Sequence, residues 1–473
     1  MGCVKLGEVF SPPGRCEVGH PLVLRRRGIL AAANLVIWVV LLTAMSTGRD
    51  AAASGFYVTQ QSARSVGRAA AGQAAGADDA ATVSANPAGM TELDGAQVMA
   101  GASVLSAKTS FRDRGSTATT PGTGGVALAY AGGNGGNPFR PEVVPNVYAA
   151  VPLSGTPLWL GIGVTSPSGL SLDYGADWFG RYDSIDSSLT TIDVSPAIAL
   201  RVNNIVSLGA GLDVQSVDIR LTSAVPNTLA PGGPSAATDG RSRLRGDDLS
   251  VGFNAGILIR PWPTTRIGVH YRSGIDHTLK GRARLSGLAG PLAAANMSAD
   301  AKAKLRLPDI VTAGVAQEVG AHLTLLADFQ WFNWSRLNEV RVRTADGADD
   351  IVIPEDYHDS YALSVGGEYR WNRHLSLRAG FRFETTPTSD RYRSAGVPEG
   401  NNYSLGLGCS YRPFADVADA VIDLAIFHTR AERADIDISR TFFAGTPAAG
   451  RVDIRGQAET HATTLSLGLR YRF

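Results

Sequence analysis

The sequence predicts an all-β chain, a 14-stranded antiparallel transmembrane β-barrel. Three observations carry that expectation. Stretch after stretch alternates apolar and polar side chains with period two, the mark of a strand with two different faces. The apolar face is Leu, Val and Ile with Tyr, Trp or Phe at the strand ends, and the other face carries Gly, Ser, Arg and Glu. The strands are also longer than the usual five or six residues and match a tilted span of a bilayer between aromatic girdles. A soluble sandwich alternates too, but has no need of that length. With 18% charged residues, a net charge of +1 and mean hydropathy near zero, the chain offers nucleic acid no electrostatic footprint.

The first element is a leader, 1–53. Arg25, Arg26 and Arg27 precede an apolar run over 29–45, and a polar stretch leads to Ala51-Ala52-Ala53. This is the layout of a cleaved signal peptide; a membrane anchor is the alternative. Residues 1–24 fit an over-extended start. Cleavage after Ala53 leaves a mature chain with 38 basic and 40 acidic residues. Cys3 and Cys16 leave with the leader and Cys409 stays alone, so neither a disulfide framework nor a Cys-based metal cluster is expected.

Residues 54–95 do not alternate. They are rich in Ala and Gly and end in Asn86-Pro87-Ala88-Gly89-Met90. Such a segment can hang free or fill the bore, and a barrel of fourteen strands is wide enough to hold it. Pro87 pushes Asn86 out of helix geometry, so the Asn amide can hold a tight turn that closes the lumen. The barrel then occupies 96–473. Candidate strands centre on 97–111, 145–153, 158–173, 188–203, 205–222, 248–260, 265–282, 303–319, 322–343, 359–372, 374–386, 402–414, 420–438 and 460–473. Short links such as 203–205 and 372–374 read as periplasmic turns. Polar stretches at 112–124, 174–187, 224–246, 286–300, 344–358, 387–401 and 439–458 read as extracellular loops. Within 158–173, Ser166-Pro167-Ser168-Gly169 interrupts the pattern. Pro cannot donate to a ladder and Gly weakens it, so pairing should break there; a simple strand end is the alternative. Phe473 closes the chain as an outward-facing aromatic, which resembles the signal read by the outer-membrane barrel assembly machinery.

The mature start Ser54-Gly55-Phe56, Gly67-Arg68-Ala69, Asp78-Asp79-Ala80, Asn86-Pro87-Ala88, Leu307-Pro308 and Trp334-Ser335 together resemble the FadL-type outer-membrane transporters of long-chain fatty acids. The resemblance covers essentially the whole mature chain. It implies a monomeric fourteen-stranded barrel with an N-terminal hatch, residues 54–95, plugging its lumen, placed in the bacterial outer membrane and held in outer-membrane lipid. Its expected work is passive uptake of long-chain fatty acids or other hydrophobic compounds, bound in an apolar lumenal pocket and released sideways through the wall. The resemblance puts Phe56 in the pocket and makes Pro167, Ser168 and Gly169 the lateral-exit kink. Arg341, and Arg220 by its similar position late in a strand, become candidate cations for a carboxylate. Asn86, Pro87 and Ala88 belong to the gating plug.

The resemblance includes a subgroup for aromatic hydrocarbons, which want the same apolar walls. A general diffusion porin and an outer-membrane lipid hydrolase are the other readings. No catalytic residues, cofactor or metal are expected. The sequence has no Gly-x-Ser-x-Gly elbow, His-Glu-x-x-His or phosphate-binding loop, and Asp78 and Asp79 read as turn or cap residues.

Overall fold

The structure, a computed structural model, describes residues 57–345, 350–398, 400–413 and 419–473. The leader 1–53, its cleavage point and Phe56 lie outside them. The strands among these residues join into fourteen antiparallel staves. β1 (Gln97–Asp113) and β2 (Glu142–Pro152) lead to β3, which runs over Leu158–Thr165 and resumes at Gly169–Asp173. β4 (Asp186–Arg201), β5 (Val206–Val225) and β6 (Gly240–Trp262) follow. β7 joins Thr265–Arg272 to Asp276–Ser286, and β8 joins Met297–Arg306 to Ile310–Val319. β9 joins Leu323–Phe332 to Glu339–Thr344, and β10 joins Ile351–Pro354 to Ser360–Arg370. β11 (Leu375–Glu384) and β12 (Asn402–Tyr411) precede β13, built from Ala420–Ala431 and Ala434–Phe442, and β14 (Gly450–Arg472). β14 returns to β1 in continuous register from Gln97↔Arg472 to Asp113↔Gly456. That seam closes the sheet, so the strands keep no open edge along it.

The two faces of the wall differ as the alternation requires. Leu405, Leu424 and Leu465 point outward and are 63%, 50% and 54% exposed. Trp262, Trp371 and Phe473 lie outward near the short-turn end, and Tyr361 and Tyr403 outward nearer the long loops. Inward positions carry buried charges instead, as in the Arg378–Asp423 ion pair at 3.1 Å.

Several staves run further than the sequence pattern suggests. β5, β6 and β14 are 20, 23 and 23 residues long, about twice a membrane-spanning strand. Residues 240–246, 439–442 and 450–458, expected as loop, are therefore strand. The reason is an inward face that stays apolar beyond the belt: Leu244, Val452 and Ile454 continue the period and pack inside.

Residues 57–95 sit in the bore. α1 (Ala63–Gly67) starts at Ser62, whose side chain caps Ser65 N–H. α2 (Thr82–Ala85) runs into a 3-10 turn, Pro87–Glu92. The chain between them is short of internal bonds and takes them from the wall. Asp328 of β9 accepts the N–H groups of Gly72, Gln73 (3.1 Å) and Ala74 (3.0 Å) with one carboxylate. Arg64 donates from Nη2 to both Glu368 oxygens at 2.7 and 2.8 Å, a charge-assisted contact shared by the whole carboxylate. Burial disfavours the charged form of Asp78, yet Arg64, Arg68 and Arg266 hold its carboxyl well below the usual range.

Glycine sets how closely plug and wall approach. A Cβ at Gly256 would run into the Asn86 amide, at Gly268 into the Ala74 carbonyl and at Gly380 into the Arg68 carbonyl. Gly268→Val is accordingly expected to push the plug from its seat. In planar bilayers it should convert closed protein to channels of measurable, persistent conductance. A variant as silent as the parent would mean that the plug has room to shift.

Candidate functional site

Above the plug, the inward faces of β4 to β8 become continuous hydrocarbon. Leu189, Ile219, Leu244, Leu279 and Leu305 turn inward there, because each keeps the inward parity of its stave past the outward belt. With Val397 and Phe442 they help enclose a cavity of about 470 Å³, a size usual for small-ligand sites.

Few charged groups reach this cavity. Arg440, on the outer part of β13, pairs with Asp183 at 2.6 Å. Asp183 also accepts from Ser394 Oγ (2.8 Å) and the Ala395 N–H (2.7 Å). Glu355 lies half-buried in the same wall. Burial pushes its carboxyl up to about 8, Arg440 pulling the other way and Asp183 adding to the rise. At neutral pH Glu355 therefore keeps its proton and can donate a hydrogen bond. Two cations, Arg440 and Arg284, one carboxylate and one neutral acid in an otherwise apolar cavity suit a ligand with a long apolar body and a small polar end.

The cavity reaches the break in β3. Leu170, the second residue of the Gly169–Asp173 segment, is part of its wall. The pieces of β3 are separated at 166–168, where the plug supplies the missing partners. Tyr57 bridges to Ser168, Val58 N–H donates to the Pro167 carbonyl at 2.8 Å, and Gln61 Nε2 donates to the Ser166 carbonyl at 3.2 Å. Thr191 of β4 closes the other side, donating through Oγ1 to the Ser168 carbonyl and accepting from its N–H. The β2–β3 ladder runs only from Val147↔Val164 to Pro152↔Trp159. Residues 142–146 of β2 pair with β1 on one side and have no ladder to β3 on the other, so the wall is slit beside Gly169–Asp173.

The opposite end of the bore is chemically unlike this. A second cavity of about 310 Å³ lies there, walled by groups such as Arg68, Asp78, Arg266, Glu368 and Arg470. It is a polar vestibule, separated from the apolar cavity by the plug and its ion pairs.

The residues singled out from the sequence fall into three groups. Asn86, Pro87 and Ala88 lie in the plug: Asn86 Nδ2 donates to the Ala74 carbonyl (2.7 Å) and to the Ile257 carbonyl of β6 (3.2 Å), while Oδ1 accepts from Ala88 N–H (3.2 Å). Pro167, Ser168 and Gly169 lie at the break, and Phe473 points outward with its N–H on the Ala96 carbonyl at 2.9 Å. The two arginines are the correction. Arg341 sits on an exposed hairpin with Glu339 at 2.8 Å and Asp350 at 3.2 Å, and Arg220 shares the outward parity of Leu212 and Val214. In each case the neighbours face the cavity, Val340 beside Arg341 and Ile219 and Leu221 beside Arg220; period two sends the arginines the other way. Phe56 is outside the described residues; its neighbour Tyr57 packs on Phe332 with ring centroids 5.8 Å apart. Arg440 was missed although a signal existed: Ile436, Ile438, Arg440 and Phe442 continue one alternation past the expected strand end. Among the described residues no group of His, Cys, Asp and Glu is arranged to hold a metal ion.

Comparison with known proteins agrees with this architecture. A relative from Neisseria meningitidis serogroup B, a putative outer membrane protein, is 28% identical, covering 92% of this chain and 98% of its own. The long-chain fatty acid transport protein of Escherichia coli K12 is 23% identical, covering 88% of this chain and 95% of its own. Among solved structures, a Pseudomonas aeruginosa FadL homologue superposes with a TM-score of 0.78 at 24% identity, covering 89% of this chain and all of that one. The toluene transporter TbuX of Ralstonia pickettii gives 0.61 at 21% identity, covering 87% of this chain and 98% of that one. The model of the outer membrane protein transport protein family (OMPP1/FadL/TodX) matches residues 44–473, and the chain, a closed barrel with a slit wall and an apolar outer cavity, belongs to that family of outer-membrane transporters of hydrophobic compounds.

Proposed function

We propose that this chain carries out passive uptake of long-chain fatty acids across the outer membrane, through the apolar cavity and then sideways at the break in β3. The observation that carries the reading is Leu170, which belongs both to the cavity wall and to the segment beside the slit. An apolar solute gains about 0.8 kcal/mol per buried CH₂, so the cavity retains an acyl tail without chemistry. Exit through the vestibule would strip that gain among paired charges, whereas the slit leads sideways through the wall. Release then requires the pocket to change. Val58 and Gln61 hold the break shut by backbone and side-chain bonds, so a shift of the plug, with Asn86, Pro87 and Ala88 as its anchor on β6, would alter both cavity floor and exit.

Arg440 and protonated Glu355 favour a fatty acid over an aromatic hydrocarbon, which would use neither. Radiolabelled uptake by a deletion strain tests the proposal: the wild-type gene should restore oleate uptake. Unchanged uptake of both oleate and toluene on deletion would remove it, and restoration of toluene uptake alone would give the site to aromatics. Glu355 adds a pH signature. Oleate affinity in detergent is expected to fall severalfold from pH 7 to pH 9, as loss of the proton places a second anion beside Asp183 and the ligand. Glu355→Gln should hold its affinity over that range, and an identical profile for both proteins would exclude the residue from the head-group site.

A further inference from the structure

The outward side of the cavity wall is as cationic as its inward side is apolar. On β5, β6, β7, β8 and β9 the extensions beyond the apolar belt place like charges opposite one another. Arg220 faces Arg245, and Arg245 faces Arg282. Arg243 faces Arg284, Lys280 faces Lys302, and Lys302 faces Arg343. Like charges directly across a ladder repel, and most of these side chains are well exposed, Arg282 at 69% and Arg343 at 73%. The acids of the face, Asp218, Asp247, Asp300 and Asp350, are fewer; Arg282 meets Asp300 at 3.5 Å, Arg343 meets Asp350 at 3.5 Å, and Lys280 lies across from Asp247 on its other side. The whole chain is nearly neutral at +1, so the concentration is local.

Its height on the wall says what it meets. The outward residues of β6 read Phe253, Val251 and Leu249, all more than half exposed, then Asp247, Arg245, Arg243 and Arg241. At about 3.3 Å per residue, Arg245 stands about 13 Å along the strand past Leu249, in the head-group layer that flanks the hydrocarbon. A ligand matching one stave from bottom to top is apolar along Leu249 to Phe253 and multiply anionic at Arg245 and Arg243.

We infer that this face is a binding site for the phosphate groups of an outer-leaflet glycolipid, whose acyl chains lie on the adjoining belt of β6. Such a lipid supplies the counter-charge that the fewer acids of this face leave unmatched, and it fixes the outer cavity at a set depth in the leaflet. The site is independent of which solute the cavity carries.

The test uses the full mature chain in detergent, with native mass spectrometry and a salt series. The probes are bisphosphorylated lipid A, the same lipid without its phosphates, inorganic phosphate and heparin. Wild-type protein is expected to retain the bisphosphorylated lipid, more weakly as salt rises, and to bind the phosphate-free lipid at least tenfold less well. R243Q/R245Q/R282Q/R284Q/K302Q should lose at least tenfold for the phosphorylated lipid, while a variant with lysine at the four arginine positions stays within about threefold. In lipid-free detergent the glutamine variant should melt no lower than wild type, since repulsion has been removed; that measurement separates loss of the site from misfolding. Equal retention of both lipids, or a glutamine variant that binds like wild type, overturns the inference. Displacement of the lipid by equimolar inorganic phosphate would reduce the face to a free-anion site. A glutamine variant that loses heparin but keeps the lipid would assign the face to a soluble polyanion.

Discussion

Arg272→Met is expected to be the most destabilising single substitution in the bore, at about 3–5 kcal/mol. Arg272 pairs with Asp213 at 2.7 Å and Asp193 at 3.4 Å, and both carboxylates have fully buried side chains. Ser195 bridges the two acids at 2.8 and 3.0 Å, and Asn254 donates to Asp213 at 3.0 Å. Methionine would keep the volume and leave two neighbouring carboxylates without a cation, which costs far more than removing the whole cluster. Arg272 also donates to the Ser84 carbonyl at 3.0 Å, so the plug should loosen with it. Urea unfolding in lipid vesicles, followed by gel mobility of unheated samples, would measure the loss. Adding D193N and D213N should recover most of it, and an R272M protein as stable as wild type would show that the cluster does not need its charge.

The second large effect is expected on transport rather than folding. Replacing Ser166-Pro167-Ser168-Gly169 by Thr-Val-Thr-Val supplies a donor at every position and side chains suited to a strand. If β3 then pairs along its length with β2, the slit closes. Oleate uptake should fall at least tenfold, while oleate binding by the purified variant stays within about twofold because none of the four replaced residues lines the cavity. Uptake at the wild-type rate with a continuous β3 would place the exit elsewhere; loss of binding as well would mean that the break shapes the pocket itself.

Much of this molecule can be read from its residues because two solvents act on one sheet. Where lipid lies outside and polar groups inside, period two is enforced, and Leu405 against Ser404 or Leu465 against Ser466 reveals the face directly. The break was readable for a different reason, since Pro167 cannot donate wherever it sits. The cavity was not. Its wall is assembled from staves far apart in sequence, and above the apolar belt the outward face turns charged, so contrast between faces no longer marks the strand ends. That is why 224–246 and 439–458 looked like loops. The resemblance and a place late in a strand pointed to Arg341 and Arg220, but period two turns both away from the cavity, whereas Arg440 faces it. The partners of Ser166 and Pro167 were equally hidden, because the plug meets them across the bore and nothing local encodes that meeting.

The seam between β1 and β14 bears on how such a molecule can be made. Ser103 and Ser466 share a hydrogen bond of 2.8 Å across it, and just inside, a Cβ at Gly468 would lie 3.4 Å from the Ala63 methyl. Val66 packs on Phe427 of β13, next to β14, and α1 also approaches β1, so it lies behind both sides of the join. Contacts this close are complete only when the wall and the amino-terminal segment are both in place. Closure of the first strand on the last is thus coupled to the seating of α1, which gives the amino-terminal residues the part of a mandrel against which the join is drawn tight.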